Sequence, residues 1–272
     1  MEITVLIDNK KNNSTYLTEH GLSILIEFKG ETVLFDTGKT DAFIQNAKTL
    51  GKDLTRVDYV VLSHSHYDHT GGLEEFLMLN KTAKVILKKE VLQERWSISA
   101  GYNRKIGFPL AKRFKQLNNR FLFVEENQEL FNDFCVITKI NRPIRQSYTD
   151  SNLFVQKDGQ LVPDTFEDEL FLVAKHHDKL VVFTGCAHNG IENMIDTAID
   201  HFKINDIELI VGGTHLNRAS ADQVQNTIQS LKGFNLKRAA FNHCSGMQNI
   251  PLFNEALDAQ IEYAFTGCSY LI

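Results

Sequence analysis

Val60-Val61-Leu62-Ser63-His64-Ser65-His66-Tyr67-Asp68-His69-Thr70-Gly71-Gly72 joins an apolar strand end to four potential metal ligands and then to a glycine pair that opens a helix. Open α/β sheets place their sites at the carboxyl ends of strands, which is where these ligands fall. Neutral imidazoles and a carboxylate suit Zn2+, with Mn2+ or Fe2+ as alternatives. His64 and His66 are two residues apart and can point together at one ion, while Asp68 and His69 can turn toward a second. Histidines gathered here by chance would bury polar groups beside a strand without partners, which is costly.

Outward from this loop, short runs rich in Val, Ile and Phe alternate with amphipathic stretches. The pattern predicts strands near 2–7, 22–28, 31–36, 57–62 and 84–88, with helices near 40–50 and after Gly72. Further strands are expected near 134–140, 170–175, 180–184, 207–212, 237–241 and 261–265, with helices near 190–202, 220–232 and 252–258. The pairs at 22–36 and 170–184 look like equivalent hairpins, the first turning at Lys29-Gly30. Such a chain is expected to be α/β, a four-layer αβ/βα sandwich in a single domain over 1–272. Residues 89–130 break the rhythm with Trp96, Gly101-Tyr102 and Gly107-Phe108-Pro109, and are expected to form a lid-like insertion carrying a helix near 110–118.

With 34 acidic against 29 basic side chains, the net charge of −5 argues against coating nucleic acid or an anionic membrane. No apolar run reaches the roughly 18 residues that span a bilayer, and MEITVLIDNK lacks the order of a signal peptide. A soluble, cytoplasmic protein is the expectation, with no nucleic-acid or membrane partner and no statement on oligomeric state. Cys135, Cys186, Cys244 and Cys268 lie far apart, as reduced thiols do.

The metal loop resembles the HxHxDH signature of the metallo-β-lactamase superfamily, matched residue for residue by His64, His66, Asp68 and His69. Leu34-Phe35-Asp36-Thr37-Gly38 looks like that superfamily's early strand-end motif, whose aspartate orients the metal loop; read alone, Asp36 is also a helix-start residue. Within the superfamily, Glu19 to Ser23, Phe166 to Leu170, Thr184 to Gly190, Gly212 to Leu216 and Asn242 to Gly246 are similar to the branch named for 7,8-dihydropterin-6-methyl-4-(β-D-ribofuranosyl)aminobenzene 5′-phosphate synthase. The resemblance implies the metallo-β-lactamase fold over nearly the whole chain.

Three further histidines follow strand ends: His188, His215 and His243. The resemblance implies that His243 joins Asp68 and His69 on one ion and that His188 completes the His64/His66 position. Cys186 stands where many relatives carry a bridging aspartate, either as a thiolate ligand or as a small buried residue. Asp168 or Glu169 stands about where relatives carry another histidine, as ligand, proton acceptor or support for a ligand. Gly212-Gly213 lets the backbone approach closely before His215, which is read as a substrate contact or a support. His176, His177 and His201 are read as solvated, and His20 as rim or plain structure.

A metal pair on this scaffold implies a dinuclear enzyme acting by hydrolysis, or by attack of an aromatic amine on a pterin methylene carbon with departure of diphosphate, with Asp68 and His215 in the catalytic set. A sensor that keeps the scaffold without turnover is the competing class. Oxygen reduction is disfavoured because such relatives replace the second histidine with glutamate, whereas His66 is intact. Between Lys89 and Arg120 lie eight basic and two acidic residues, against the sign of the whole chain. Arg104 and Lys105 are expected in an irregular segment that presents charge to a phosphate, with Tyr102 and Phe108 stacking on a planar ring. The expected partner is therefore a small anionic molecule, phosphorylated and partly aromatic.

Overall fold

A computed structural model describes residues 1–99, 102–109, 118–142 and 150–272. In chain order it opens with β1 (Glu2–Ile7), β2 (Ser23–Phe28), β3 (Glu31–Phe35), α1 (Ala42–Thr49), β4 (Tyr59–Val61), α2 (Tyr67–Thr70), α3 (Leu73–Leu79) and β5 (Lys84–Leu87). Next come β6 (Arg95–Ser99), β7 (Tyr102–Lys105), β8 (Phe121–Phe123), β9 (Gln128–Phe131), β10 (Phe134–Ile137), β11 (Leu153–Lys157) and β12 (Gln160–Pro163). The remainder comprises β13 (Phe171–His176), β14 (Lys179–Thr184), α4 (Ile191–Phe202), β15 (Asp206–Gly212), α5 (Ala221–Leu231), β16 (Asn235–Leu236), β17 (Arg238–Phe241), α6 (Ile250–Ala256), β18 (Gln260–Tyr263) and β19 (Ser269–Leu271).

The chain divides into two compact units. The first comprises Met1–Val124, Asp150–Asp168 and Phe265–Ile272. Its main sheet runs β19-β1-β2-β3-β4-β5-β8 among the described residues, antiparallel as far as β3 and parallel beyond it. The change of direction at β3 brings the carboxyl ends of β3 and β4 side by side, with Phe35 opposite Val61. A core of Leu34, Val60, Leu62 and Val85 on the sheet packs with Phe43 of α1 and Phe76 of α3. The β2–β3 turn has Lys29 at φ 52° and Gly30 at φ 87°, the left-handed pair that a two-residue hairpin requires.

The second unit comprises Glu125–Thr149 and Glu169–Ala264. Its sheet runs β18-β17-β15-β14-β13-β10-β9, with β16 also pairing with β15. The strands from β14 to β18 are parallel, and the unbroken apolar runs of β14 and β15 are buried along nearly their whole length. Helices α4, α5 and α6 supply Ile191, Ile195, Ile228 and Phe253 to its core. The equivalent hairpin β13–β14 turns at His177 and Asp178, both left-handed.

The stretch 89–130 departs from the expected irregular lid. β6, β7, β11 and β12 form a separate four-stranded antiparallel sheet in the first unit, while β8 extends the first main sheet and β9 the second. Arg104 and Lys105 accordingly lie in a strand. No apolar alternation marks β7, whose four residues are all exposed, and its neighbour β6 is paired on the other side by the sequence-remote β11. The expected helix near 110–118 falls at 110–117 outside the described residues, as does Gly101.

Candidate metal centre

In the first unit, β4 delivers the ligand loop directly beside the end of β3. Asp36, fully buried and left-handed at φ 61°, is the organising group. Its Oδ1 accepts the Ser63 backbone N–H at 2.7 Å, and its Oδ2 accepts the Ser63 hydroxyl at 2.7 Å and the His69 Nδ1–H at 2.6 Å. Since the Ser63 proton goes to Asp36, the Ser63 oxygen receives the Nδ1 proton of His64 at 2.8 Å. Both imidazoles thus carry their proton on Nδ1 and a lone pair on Nε2, the form that ligates a metal. The ring of His64 lies 4.6 Å from that of His66 and 4.2 Å from that of His69, so three imidazoles converge. Asp68 Oδ2 lies 3.9 Å from His69 Nε2 and 3.1 Å from His20 Nε2, which puts His20, exposed along most of its side chain, at the rim of the loop.

Two glycines let this happen. A Cβ on Gly71 would stand 2.2 Å from the Lys39 carbonyl oxygen, and one on Gly72 would stand 2.4 Å from that of Thr37. Their absence allows the Asp36–Thr40 segment to lie against α2, where the Thr37 N–H reaches the His69 carbonyl at 2.7 Å. Asp168 braces the loop from another side: its Oδ2 accepts the Ser65 N–H at 2.8 Å, between the first two histidines. Its Oδ1 pairs with Arg95 at 2.8 Å, and the same guanidinium reaches Asp164 at 2.7 Å. Arg95, although one of the basic residues of the 89–130 stretch, is 1% exposed and belongs to this brace.

The second unit contributes its own cluster. Glu169 accepts the backbone N–H groups of His188 at 2.7 Å and Asn189 at 2.8 Å, with the Asn189 side chain at 2.7 Å, and thereby shapes the turn after β14. The potential ligand atoms of Cys186, His188 and His215 lie within 4.8 Å of one another, and so do those of Cys186, His243 and Cys244. Ala187, His215 and His243 all adopt left-handed backbone, at φ 54°, 54° and 50°. Such strain in residues other than glycine collects at functional sites. Gly213 is required where it stands, because a Cβ there would meet the Cys244 sulfur and the Gly185 carbonyl oxygen at 2.5 Å.

Cys244 was not legible from the sequence as part of the cluster. Its sulfur accepts the His215 N–H at 3.2 Å and lies 3.6 Å from the Cys186 carbonyl oxygen. Burial pushes its thiol up, but hydrogen bonds with Cys186 and His215 and the charges of His243 and His215 bring it well below the ordinary thiol value. The donor sets fit divalent transition ions: buried imidazoles of fixed tautomer with a carboxylate in one unit, imidazoles and thiols in the other.

The expected substrate residues are more dispersed. Tyr102 is exposed, Phe108 packs against the first core, and Lys105 pairs with Glu94 at 2.8 Å while lying over the Trp96 ring. Arg104 touches the metal loop through the Tyr67 hydroxyl at 2.9 Å.

A family model described as the metallo-beta-lactamase superfamily matches residues 18–202. The chain is 28% identical to the 7,8-dihydropterin-6-methyl-4-(beta-D-ribofuranosyl)-aminobenzene-5'-phosphate synthase of Methanocaldococcus jannaschii, over 97% of this chain and 94% of that protein. It is 30% identical to the uncharacterized protein MJ0448 of the same organism, over 90% and 91%. Among solved structures, Tm1679, described as a metal-dependent hydrolase of the beta-lactamase superfamily, aligns over 100% of this chain and 99% of its own at 31% identity and a TM-score of 0.86. YhfI of Bacillus subtilis, at 10% identity and a TM-score of 0.61, shares the fold. By its sequence model and its fold, this chain belongs to the metallo-β-lactamase superfamily.

Proposed function

We propose that the protein is a dinuclear metal-dependent enzyme acting on a small anionic, phosphorylated substrate. In this reading His64, His66 and His188 hold one ion and Asp68, His69 and His243 hold the other, as Zn2+ or alternatively Mn2+ or Fe2+. The observation that carries it is the buried Asp36, which together with Ser63 fixes both His64 and His69 as Nδ1–H tautomers and has no comparable use in a plain polar loop. Divalent ions at such a centre supply Lewis acidity toward a carbonyl or phosphoryl oxygen and acidify water. Asp68 accepts a proton from the attacking group, and the part-buried His215 contacts the substrate. Asp168 and Glu169 hold the two ligand turns in shape through backbone N–H groups, which favours support over ligation for both.

Hydrolysis is the first reading, in line with the description of Tm1679. The name of the M. jannaschii relative favours a second, in which an aromatic amine displaces diphosphate from a pterin methylene carbon and gives its proton to Asp68. Elemental analysis of protein purified without added metal, followed by turnover assays on phosphodiesters, lactones and pterin diphosphates, tests both. Approximately two transition ions per chain and chelator-sensitive turnover are expected. Full activity in metal-free protein refutes the proposal, and no turnover with both ions bound favours a sensor. Among the described residues no helix is long and apolar enough to cross a membrane.

A further inference from the structure

Tyr67 lies inside the ligand loop, between His66 and Asp68, and two cations converge on its ring. The Arg104 guanidinium carbon is 4.9 Å from the ring centroid, and the Lys39 ammonium is 5.8 Å from it. Both side chains belong to exposed residues, and among the described residues neither forms an ion pair, the Glu19 carboxylate being taken up by the backbone N–H groups of Lys39 at 2.8 Å and Thr40 at 3.0 Å. Lys105, one residue from Arg104, is neutralised by Glu94, and Arg95 by two aspartates. Two cations without an ion-pair partner are thus held on one aromatic ring beside the ligand loop, in a chain whose net charge is −5.

Their placement is built into the backbone. The Tyr67 N–H donates to the Ile106 carbonyl at 2.8 Å, which sets the end of β7 against the loop and brings Arg104 over the ring. On the other side, the close approach that Gly71 permits presses the Lys39 carbonyl against α2. Tyr67 itself packs on the small cluster of Ile106, Leu153 and Phe166, so the ring is a fixed platform. The Arg104 fork is partly engaged, with Nη2 donating to the Tyr67 hydroxyl.

We infer that Lys39, Tyr67 and Arg104 form an anion subsite beside the ligand loop that takes the phosphate group of a phosphomonoester or diphosphate, with Lys105 outside it. The inference deepens the reading of a phosphorylated substrate and rests on it for the identity of the anion. Arg104 recognises paired oxygens through its planar donors and Lys39 adds a point charge, with the Tyr67 ring holding both cations in place.

The test is calorimetric titration of the metal-loaded full-length protein with phenylphosphonate, which cannot be hydrolysed, and with benzyl alcohol as its neutral counterpart. Lys39→Ala and Arg104→Ala should each weaken phenylphosphonate about five- to tenfold, between the values of exposed ion pairs and of charged hydrogen bonds. The double variant should lose more than either single variant, and Lys105→Ala less than about twofold. Benzyl alcohol affinity, metal content and melting temperature should not move, and the salt dependence of phosphonate binding should flatten in the double variant. Unchanged phosphonate affinity in the double variant, or an equal loss in Lys105→Ala, overturns the subsite. Turnover with wild-type phosphonate affinity in the double variant would refute the subsite alone. The expected binding pattern in a protein that turns over nothing would refute the enzymatic reading alone.

Discussion

Replacement of Arg95 by Met isolates the brace behind the ligand loop. Arg95 is 1% exposed, holds Asp164 at 2.7 Å and Asp168 at 2.8 Å, and donates to the Glu90 carbonyl at 2.9 Å. The methionine fills much of the volume but leaves two buried carboxylates facing each other. Removing one partner of a buried ion pair costs about 3–5 kcal/mol, since the remaining charge is desolvated and uncompensated. For a chain of this length that corresponds to a fall of about 6–20 °C in melting temperature. Burial already raises the pKa of Asp164, with Arg95 acting against that shift and Asp168 adding to it. Without Arg95 the native carboxyl rises further and takes up a proton that the unfolded chain does not hold at the same pH. Stability of the variant relative to the parent therefore recovers as pH falls toward the unfolded carboxyl value of about 4, and is lost as pH rises through the folded value. Thermal unfolding by circular dichroism at pH 7.5 and pH 5.5 checks both the size and the sign. A deficit below about 1 kcal/mol, or one that grows on acidification, refutes the assignment of Arg95 as the counter-ion of these two aspartates.

Asp36→Asn should keep the fold but lower metal affinity by about 10–100-fold, read by competition with a chromophoric chelator, because the amide's NH2 end must face donors, either the Ser63 backbone N–H now on Oδ1 or the Ser63 hydroxyl and His69 Nδ1–H now on Oδ2. Asp68→Ala should abolish turnover with a melting temperature, measured in chelator, within a few degrees of the parent, since its carboxylate meets His20 and His69 at the loop; near-normal turnover with both ions bound would remove Asp68 from the ligand set. Cys135, buried on β10 with its thiol pushed up to about 11, should resist iodoacetamide at pH 8 in the native protein and react after unfolding, as peptide mass spectrometry would show.

What the chain wrote locally could be read locally. An apolar strand followed by His64, His66, Asp68 and His69, the left-handed turn at Lys29-Gly30 and the unbroken apolar run of β14 each lie within one short window, and each appears where its residues predict. Such signals survive because backbone geometry and strand burial depend chiefly on immediate neighbours. The roles of Arg95, Asp168, Tyr67 and Cys244 depended on partners far along the chain. Arg95 reads as one basic residue among eight until Asp164, 69 residues on, enters its environment, and the support that Asp168 gives the loop appears only with the Ser65 N–H, 103 residues back. The four residues of β7 are all exposed and carry no apolar face, so that strand exists because it pairs with β6. Tertiary structure decided these assignments because the energy of a buried charge or an edge strand is set by the group that compensates it, and that group lay outside any window in which the sequence has a period.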